Sequence, residues 1–143
     1  MKLVDANVLI YAVNSDSLHH EQARRWFEQA LSGTDRVGLA WNVVLAFLRI
    51  TTRPDIMERP LPADDAVAYV DSWLGHPSVE LVVPGGNHWT ILRTLIAATG
   101  TAGNLTSDAH LAALAFEGGW TLVSTDNDFR RFTGLRVVNP LAR

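Results

Sequence analysis

Residues 1–10 read Met-Lys-Leu-Val-Asp-Ala-Asn-Val-Leu-Ile, and this order indicates a strand followed directly by a helix. The strand is expected over Lys2 to Val4, and the apolar run that starts at Val8 indicates a helix. Asp5 lies in the very tight turn between them. In a parallel α/β sheet the carboxyl ends of the strands share one edge, and such folds bind their ligands there. Asp5 is therefore expected at the ligand-binding edge of a sheet.

The rest of the chain repeats this alternation. Four more strands are predicted, at residues 37–40, 79–83, 121–124 and 136–138. Helices are predicted at residues 19–31, 43–52, 63–75, 88–98 and 106–118, because apolar residues recur there at helical spacing and Gly or Pro marks most of the ends. Strands that alternate with helices favour a mostly parallel sheet of four to five strands, covered on both faces. The sequence therefore predicts an α/β protein.

Composition narrows the class of protein. A chain of 143 residues with 48% hydrophobic and 19% charged residues is expected to fold as one compact domain, over residues 1–143. The absence of cysteine excludes disulfides, thiolate metal sites and a cysteine nucleophile. No apolar run approaches the length of a membrane span, and Met1 and Lys2 lead into a predicted strand and not into a signal peptide. A cytoplasmic location is the resulting expectation.

Three more aspartates lie where predicted strands end or helices begin. Asp108 opens the last predicted helix, and Asp126 and Asp128 follow the fourth strand. Together with Asp5 they are expected to converge at one edge of the sheet. Converging carboxylates repel one another unless a cation or a shared proton compensates them, and ligand sets made only of oxygen favour Mg²⁺ or Mn²⁺. Such an ion lowers the pKa of an attacking water, so hydrolysis of a phosphodiester is the natural chemistry.

Each of these aspartates, considered alone, could also have a purely structural role. Asp5 and Asp108 could stabilise helix N-termini, and Asp126-Asn127-Asp128 could form a turn. A strand-end nucleophile, as in haloacid dehalogenase-like phosphatases, is a further alternative. Asn7 replaces the second aspartate of that pattern, and the only lysine is Lys2, within the first strand. The combination of four acids at one edge favours a metal site over capping and over this nucleophile.

The basic and aromatic residues give a weaker indication of a ligand. The net charge of −3 argues mildly against a strongly basic nucleic-acid binder. Arginine nevertheless suits phosphate contacts, and Arg53, Arg130 and Arg131 are the candidates for such contacts. The tryptophans, among them Trp41 and Trp89, are expected in the core or in an interface.

Three motifs together resemble the PIN-domain ribonucleases. They are LVDANVLI at residues 3–10, DAHLAALA at 108–115 and VSTDNDF at 123–129. The closing LRVVNPL at 135–141 is similar to the toxin branch of this family, the VapC toxins of bacterial toxin–antitoxin pairs. The motifs are short, but their order and spacing are specific, and the resemblance covers essentially the entire chain.

This resemblance implies a fold, an activity and partners. The fold is a three-layer α/β/α sandwich, and the activity is that of an Mg²⁺- or Mn²⁺-dependent endoribonuclease acting on structured RNA such as tRNA or ribosomal RNA. The implied partners are a second copy of the chain, in a homodimer, and a cognate VapB-type antitoxin that blocks the site. By position, Asp5, Asp108 and Asp126 would be the metal ligands, Asp128 an additional acid, and Asn7 a polar residue that fixes the orientation of the ligands.

One acid of the family pattern is missing. The glutamate expected in the helix after the second strand aligns with Ala46, in the run Ala46-Phe47-Leu48-Arg49. Because Mg²⁺ often needs only one or two protein carboxylates, the remaining acids can suffice for one ion, and a second metal site is expected to be weak. The alternative function is a PIN-fold scaffold that binds a partner and has lost its catalytic strength with this acid.

Overall fold

The computed structural model describes residues 1–142, and within them five strands alternate with six α-helices. The strands are β1 (Lys2–Val4), β2 (Val37–Ala40), β3 (Val79–Val82), β4 (Thr121–Val123) and β5 (Val137–Val138). The helices are α1 (Ala6–Val13), α2 (His20–Ser32), α3 (Trp41–Thr51), α4 (Ala63–Leu74), α5 (His88–Thr99) and α6 (Thr106–Gly118), and short 3-10 helices cover Gly103–Leu105 and Asn127–Arg131. These bounds lie within about two residues of the predicted ones for most elements.

The five strands form one sheet in the order β3-β2-β1-β4-β5, and every pair is parallel. The predicted α/β class with a parallel sheet is therefore confirmed. The chain builds outward from β1 through β2 to β3 and then returns to the other side of β1 for β4 and β5. The strand order thus reverses between β1 and β4. Open α/β sheets bind ligands at the carboxyl ends of the strands at such a reversal.

The hydrophobic core lies on both faces of this sheet. Leu3 and Val4 in β1 and Leu122 and Val123 in β4 are fully buried. Helix α6 buries almost every residue from Ala109 to Ala115, because small alanine side chains let it pack closely on several sides. A helix that is apolar all round is a buried helix, which fixes the position of its polar first turn.

Helix α6 begins at Thr106, as predicted, and it has no side-chain cap because the 3-10 turn at Gly103–Leu105 leads directly into it. Trp41 and Trp89, which were expected in the core or in an interface, do not lie in the core, since 51% and 67% of their surfaces are exposed. Within residues 1–142 no helix has both the length and the apolar character that crossing a membrane requires.

Candidate active site

The predicted acids are all located at the edge of the sheet where the strand order reverses. Asp5 follows β1 and is the N-cap residue of α1. Asp126 is the third residue after β4 and caps the 3-10 helix that contains Asp128. Asp108 lies in the first turn of α6. The acids come from different parts of the chain, and the parallel topology brings these parts to one edge.

Asp108, Asp126 and Asp128 approach one another closely. Each offers a carboxylate oxygen, and these three oxygens lie within 4.8 Å of one another. Asp108 and Asp126 are half-buried and Asp128 is exposed, so the group is open to solvent on one side. We call these three residues the acidic triad. The structure thus brings together two of the three predicted ligands with the predicted additional acid.

Asp5 adjoins the acidic triad and is held by hydrogen bonds of its own. Its Oδ1 accepts a hydrogen bond from the backbone N–H of Ala6 at 2.8 Å. Its Oδ2 accepts one from the Ser124 hydroxyl at 2.7 Å and a longer one from Asn7 Nδ2 at 3.3 Å. These three donors fix the plane of the carboxylate, and a fixed carboxylate is already oriented for a ligand.

Ser124 and Asn7 connect Asp5 to the acidic triad. Asn7 Nδ2 also donates to Ser124 Oγ at 3.2 Å, and Asn7 Oδ1 accepts from the backbone N–H of Thr125 at 3.4 Å. Ser124 Oγ accepts the backbone N–H of Asp126 at 3.1 Å. The buried Ser124 hydroxyl therefore donates to Asp5 and accepts from Asn7 and from the backbone of Asp126. These three hydrogen bonds join the ends of β1 and β4.

Sequence reasoning missed Ser124. The residue is polar at the end of a short apolar strand, and such a serine commonly forms a turn. Its position two residues before Asp126 was the only signal, and that signal carries meaning only when the pairing of β1 with β4 is known. In the register of this pair, Val4 lies opposite Val123, so Asp5 and Ser124 follow at the same level.

The electrostatics of the site match a crowded set of carboxylates. The pKa of Asp108 is raised to about 6, first by burial and then by the negative charges of Asp126, Asp5 and Asp128. The pKa of Asp5 is also raised by burial, although hydrogen bonds from Ser124 and Ala6 oppose that effect. Both shifts show that the charged form is unfavourable without a compensating cation.

The donor set fits a hard divalent cation. The acidic triad supplies only carboxylate oxygens, and Mg²⁺ and Mn²⁺ prefer such oxygens. The open side of the triad leaves room for water and a phosphate. The arrangement can therefore bind one ion and position a phosphodiester beside it.

The other predicted residues differ in their surroundings. Ala46 is half-buried in α3 and packs on the hydrophobic core, so its methyl group adds no ligand. Arg130 and Arg131 are exposed and follow Asp128 within the same 3-10 helix. Arg53 is also exposed, but its guanidinium forms two hydrogen bonds with Asp55.

Two histidines form a contact between α5 and α6. His88 Nε2 lies 2.9 Å from His110 Nδ1, and His88 Nδ1 lies 4.0 Å from Glu117 Oε1. The pKa of His110 is lowered by burial and by His88. This polar contact ties α5 to the helix that presents Asp108.

Known proteins share both the sequence and the fold of this chain. The sequence matches the PIN domain family over residues 2–135. It is 51% identical over 142 residues to Ribonuclease VapC37 of Mycobacterium tuberculosis (strain ATCC 25618 / H37Rv), which covers 99% of each chain.

Two solved structures have the same fold at low sequence identity. The structure of VapBC2 from Rickettsia felis, bound to a DNA fragment from its promoter, aligns with a TM-score of 0.69 at 18% identity, covering 96% of this chain and 97% of the other. VapC20 of Mycobacterium tuberculosis, a toxin that cleaves the sarcin-ricin loop, aligns with a TM-score of 0.65 at 20% identity, covering 95% and 99%. At these identities the likeness concerns the fold alone.

Proposed function

The chain belongs to the PIN domain family and, within it, to the VapC ribonucleases, and from this premise we propose that it is a toxin that cleaves structured RNA with the help of a divalent cation. The observation that carries the proposal is the convergence of Asp108, Asp126 and Asp128, with the pKa of Asp108 raised to about 6. Carboxylates gathered at such a cost are explained by a cation that binds between them.

We assign roles to the acids as follows. Asp5, Asp108 and Asp126 hold Mg²⁺ or Mn²⁺, and Asp128 contacts the ion or orients the attacking water. Asn7 and Ser124 keep the Asp5 carboxylate in place through their hydrogen bonds. The chemistry that such a cation supplies when bound is a lowered pKa for water and stabilisation of negative charge on the phosphate.

The alanine at position 46 bears on how many divalent cations the site can bind. Because the family glutamate is absent at this position, we propose one well-bound ion and a weak second site. Mg²⁺ commonly completes its coordination with water and substrate phosphate, so one ion on these acids is sufficient for hydrolysis. The scaffold alternative differs in a measurable way, because a scaffold has no reason to bind a cation at the acidic triad.

The substrate and the partners follow from the relatives. The sarcin-ricin loop activity of VapC20 supports a structured RNA, such as tRNA or ribosomal RNA, as the substrate class. Arg130 and Arg131, beside the acidic triad, are the proposed phosphate contacts, whereas Arg53 is expected to contribute less because Asp55 already pairs with it. The VapBC2 complex supports a VapB-type antitoxin as the partner. We further propose that residues 1–143 form a single PIN domain and that two copies form a homodimer.

Cleavage of RNA tests this function. Antitoxin-free protein is incubated with total RNA in Mg²⁺ or Mn²⁺ and in EDTA, beside Asp126→Asn and the control Asp71→Asn. Asp71 is an exposed acid near the end of α4, which leads into the amino end of β3 on the opposite edge of the sheet. We expect discrete fragments from the wild type and Asp71→Asn, and none in EDTA or from Asp126→Asn. Equal cleavage by all proteins, or cleavage in EDTA, would contradict the proposal.

A further inference from the structure

Trp41 is an exposed aromatic residue at the edge of the sheet that carries the acids. It is the first residue of α3 and follows β2, all four residues of which are buried. Half of its surface, 51%, is nevertheless open to solvent. A tryptophan seldom exposes so much apolar surface without a ligand or partner that covers it.

The topology places Trp41 near the reacting edge. Strands β1 and β2 pair in parallel, with Lys2 opposite Val37 and Leu3 opposite Gly38. The same register, carried two residues further, sets Asp5 level with Ala40, the residue before Trp41. Neighbouring strands lie about 4.8 Å apart, so α1 and α3 begin side by side, one after Asp5 and the other at Trp41. The start of α3, with Trp41, therefore lies beside the start of α1 at the edge of the sheet that carries the acids.

Helix α3 continues this exposed face away from the site. Leu45 and Arg49 follow Trp41 at intervals of four residues, which places the three side chains in one row along the helix. Leu45 is 59% exposed, and Arg49 is exposed and forms no ion pair within the described part of the chain. Arg49 lies about 12 Å from Trp41 along the helix axis. An aromatic ring, an apolar contact and a free cation are thus arranged in a line that starts at the acids.

The charge of the site indicates which ligand this row fits. RNA brings negative phosphates to an edge that already holds four aspartates, on a chain with a net charge of −3. A contact that does not depend on charge therefore complements the phosphate contacts of the bound cation, Arg130 and Arg131 at that edge. Stacking of a base on an aromatic ring provides it, and single-stranded RNA is recognised largely in this way.

We propose that Trp41 is a stacking platform for an unpaired base of the RNA substrate next to the cleaved phosphate, and that Arg49 contacts the backbone further along the same strand. This inference rests on the proposed function, because it names the substrate contact of the same site. It also explains why structured RNA with loops is a suitable substrate, since loops present unstacked bases.

The test measures RNA affinity without cleavage. A fluorescein-labelled single-stranded RNA of mixed sequence is titrated with Asp126→Asn protein in EDTA, and binding is followed by fluorescence anisotropy. Trp41→Ala, Trp41→Phe and Trp89→Ala are then added to this background. Trp89 is the matched control, because it is even more exposed and is the second residue of α5, a helix that carries none of the acids.

We expect Trp41→Ala to weaken RNA binding by about 5- to 150-fold, the range for loss of one stacked base. Trp41→Phe should retain most of the affinity because a smaller ring still stacks, and Trp89→Ala should leave it unchanged. An unchanged affinity of Trp41→Ala, with the wild type still cleaving RNA, would overturn this inference and leave the proposed function intact. A loss of antitoxin binding in Trp41→Ala at unchanged RNA affinity would instead assign the surface to the protein partner. Absence of both binding and cleavage in the parent proteins would overturn the inference and the function together.

Discussion

Ser124 is a residue whose importance follows from its hydrogen bonds and not from any charge. Its buried hydroxyl donates to Asp5 and accepts from the backbone of Asp126 and from Asn7. One oxygen thus links the ends of β1 and β4, where the strand order reverses. Removing it frees the Asp5 carboxylate and leaves the partly buried backbone N–H of Asp126 without its acceptor.

We predict that Ser124→Ala lowers the free energy of unfolding by about 1–3 kcal/mol, the usual cost of an unsatisfied buried group. Divalent metal binding should weaken by about 10- to 100-fold, as is common when a residue that orients a ligand is lost. Urea unfolding and Mn²⁺ titration measure the two effects. Ser72→Ala, at an exposed position of α4, should change neither quantity. Wild-type metal affinity in Ser124→Ala would show that Asp5 does not depend on this hydroxyl.

Asp108 makes the metal-free protein sensitive to pH. Its pKa of about 6 in the folded protein lies above its ordinary value of 3.8, so the folded protein holds this proton more tightly than the unfolded chain does. Protonated Asp108 therefore favours the fold below pH 4, and this contribution is lost as the pH rises to 6. Above pH 6 the charged side chain opposes folding.

We predict that Asp108→Asn stabilises the metal-free protein at pH 7. The expected gain in the free energy of unfolding is about 1–2 kcal/mol, after allowance for solvent screening at this half-buried position. Urea unfolding in EDTA at pH 7 and at pH 4 measures it, and the difference between mutant and wild type should shrink towards pH 4. Asp71→Asn is the control and should show no comparable gain. A destabilised Asp108→Asn at pH 7 would mean that the carboxylates do not repel one another as the structure implies.

At the scale of elements, the short strands and helices could be predicted because apolar spacing and breaking residues agree along most of the chain. The start of α6 at Thr106 could be predicted as well, but the 3-10 turn at Gly103–Leu105 before it could not, because that turn depends on a backbone path that no residue type specifies. The acids could be placed at one edge from the alternation of elements alone. The close grouping of Asp128 with Asp108, and not of Asp5, depends on side-chain directions that the sequence does not contain.

The buried side chains around strand β2 limit which residues the strand can contain. Gly38 lies in this buried strand, and a Cβ atom there would approach Val82 Cγ2 to 2.7 Å and the Trp120 ring to 3.0 Å. Both neighbours are buried themselves, so neither can move without disturbing the core. Glycine at this position thus allows β2, β3 and Trp120 to pack closely.

We predict that Gly38→Ala lowers the free energy of unfolding by about 1–3 kcal/mol, as overpacking of a core does. Thermal or urea unfolding measures the change. Gly86→Ala is the matched control, because a Cβ atom at Gly86 meets nothing within 4 Å and the same substitution should leave stability nearly unchanged. Equal stability of the two variants would contradict the packing seen around β2.

At the scale of the whole molecule, a parallel sheet with a reversal of strand order between β1 and β4 gathers four acids from distant parts of the chain. The folded protein holds Asp108 and Asp5 at raised pKa values, first because both are buried and then because neighbouring aspartates repel them. The exposed α3 surface beside this edge, from Trp41 to Arg49, offers the substrate a stacking contact and a cation that are separate from the acids. The central claim is therefore that the acids bind a divalent cation.

Calorimetric titration of Mn²⁺ into the metal-free protein tests this claim most directly, with wild type, Asp126→Asn and Asp71→Asn compared at pH 7. We predict saturable binding to the wild type and to Asp71→Asn, and an affinity at least about tenfold weaker in Asp126→Asn, since that change removes a charged ligand. Equal binding by all three proteins, or no saturable binding by any of them, would contradict the claim that the acids at this edge form a metal site.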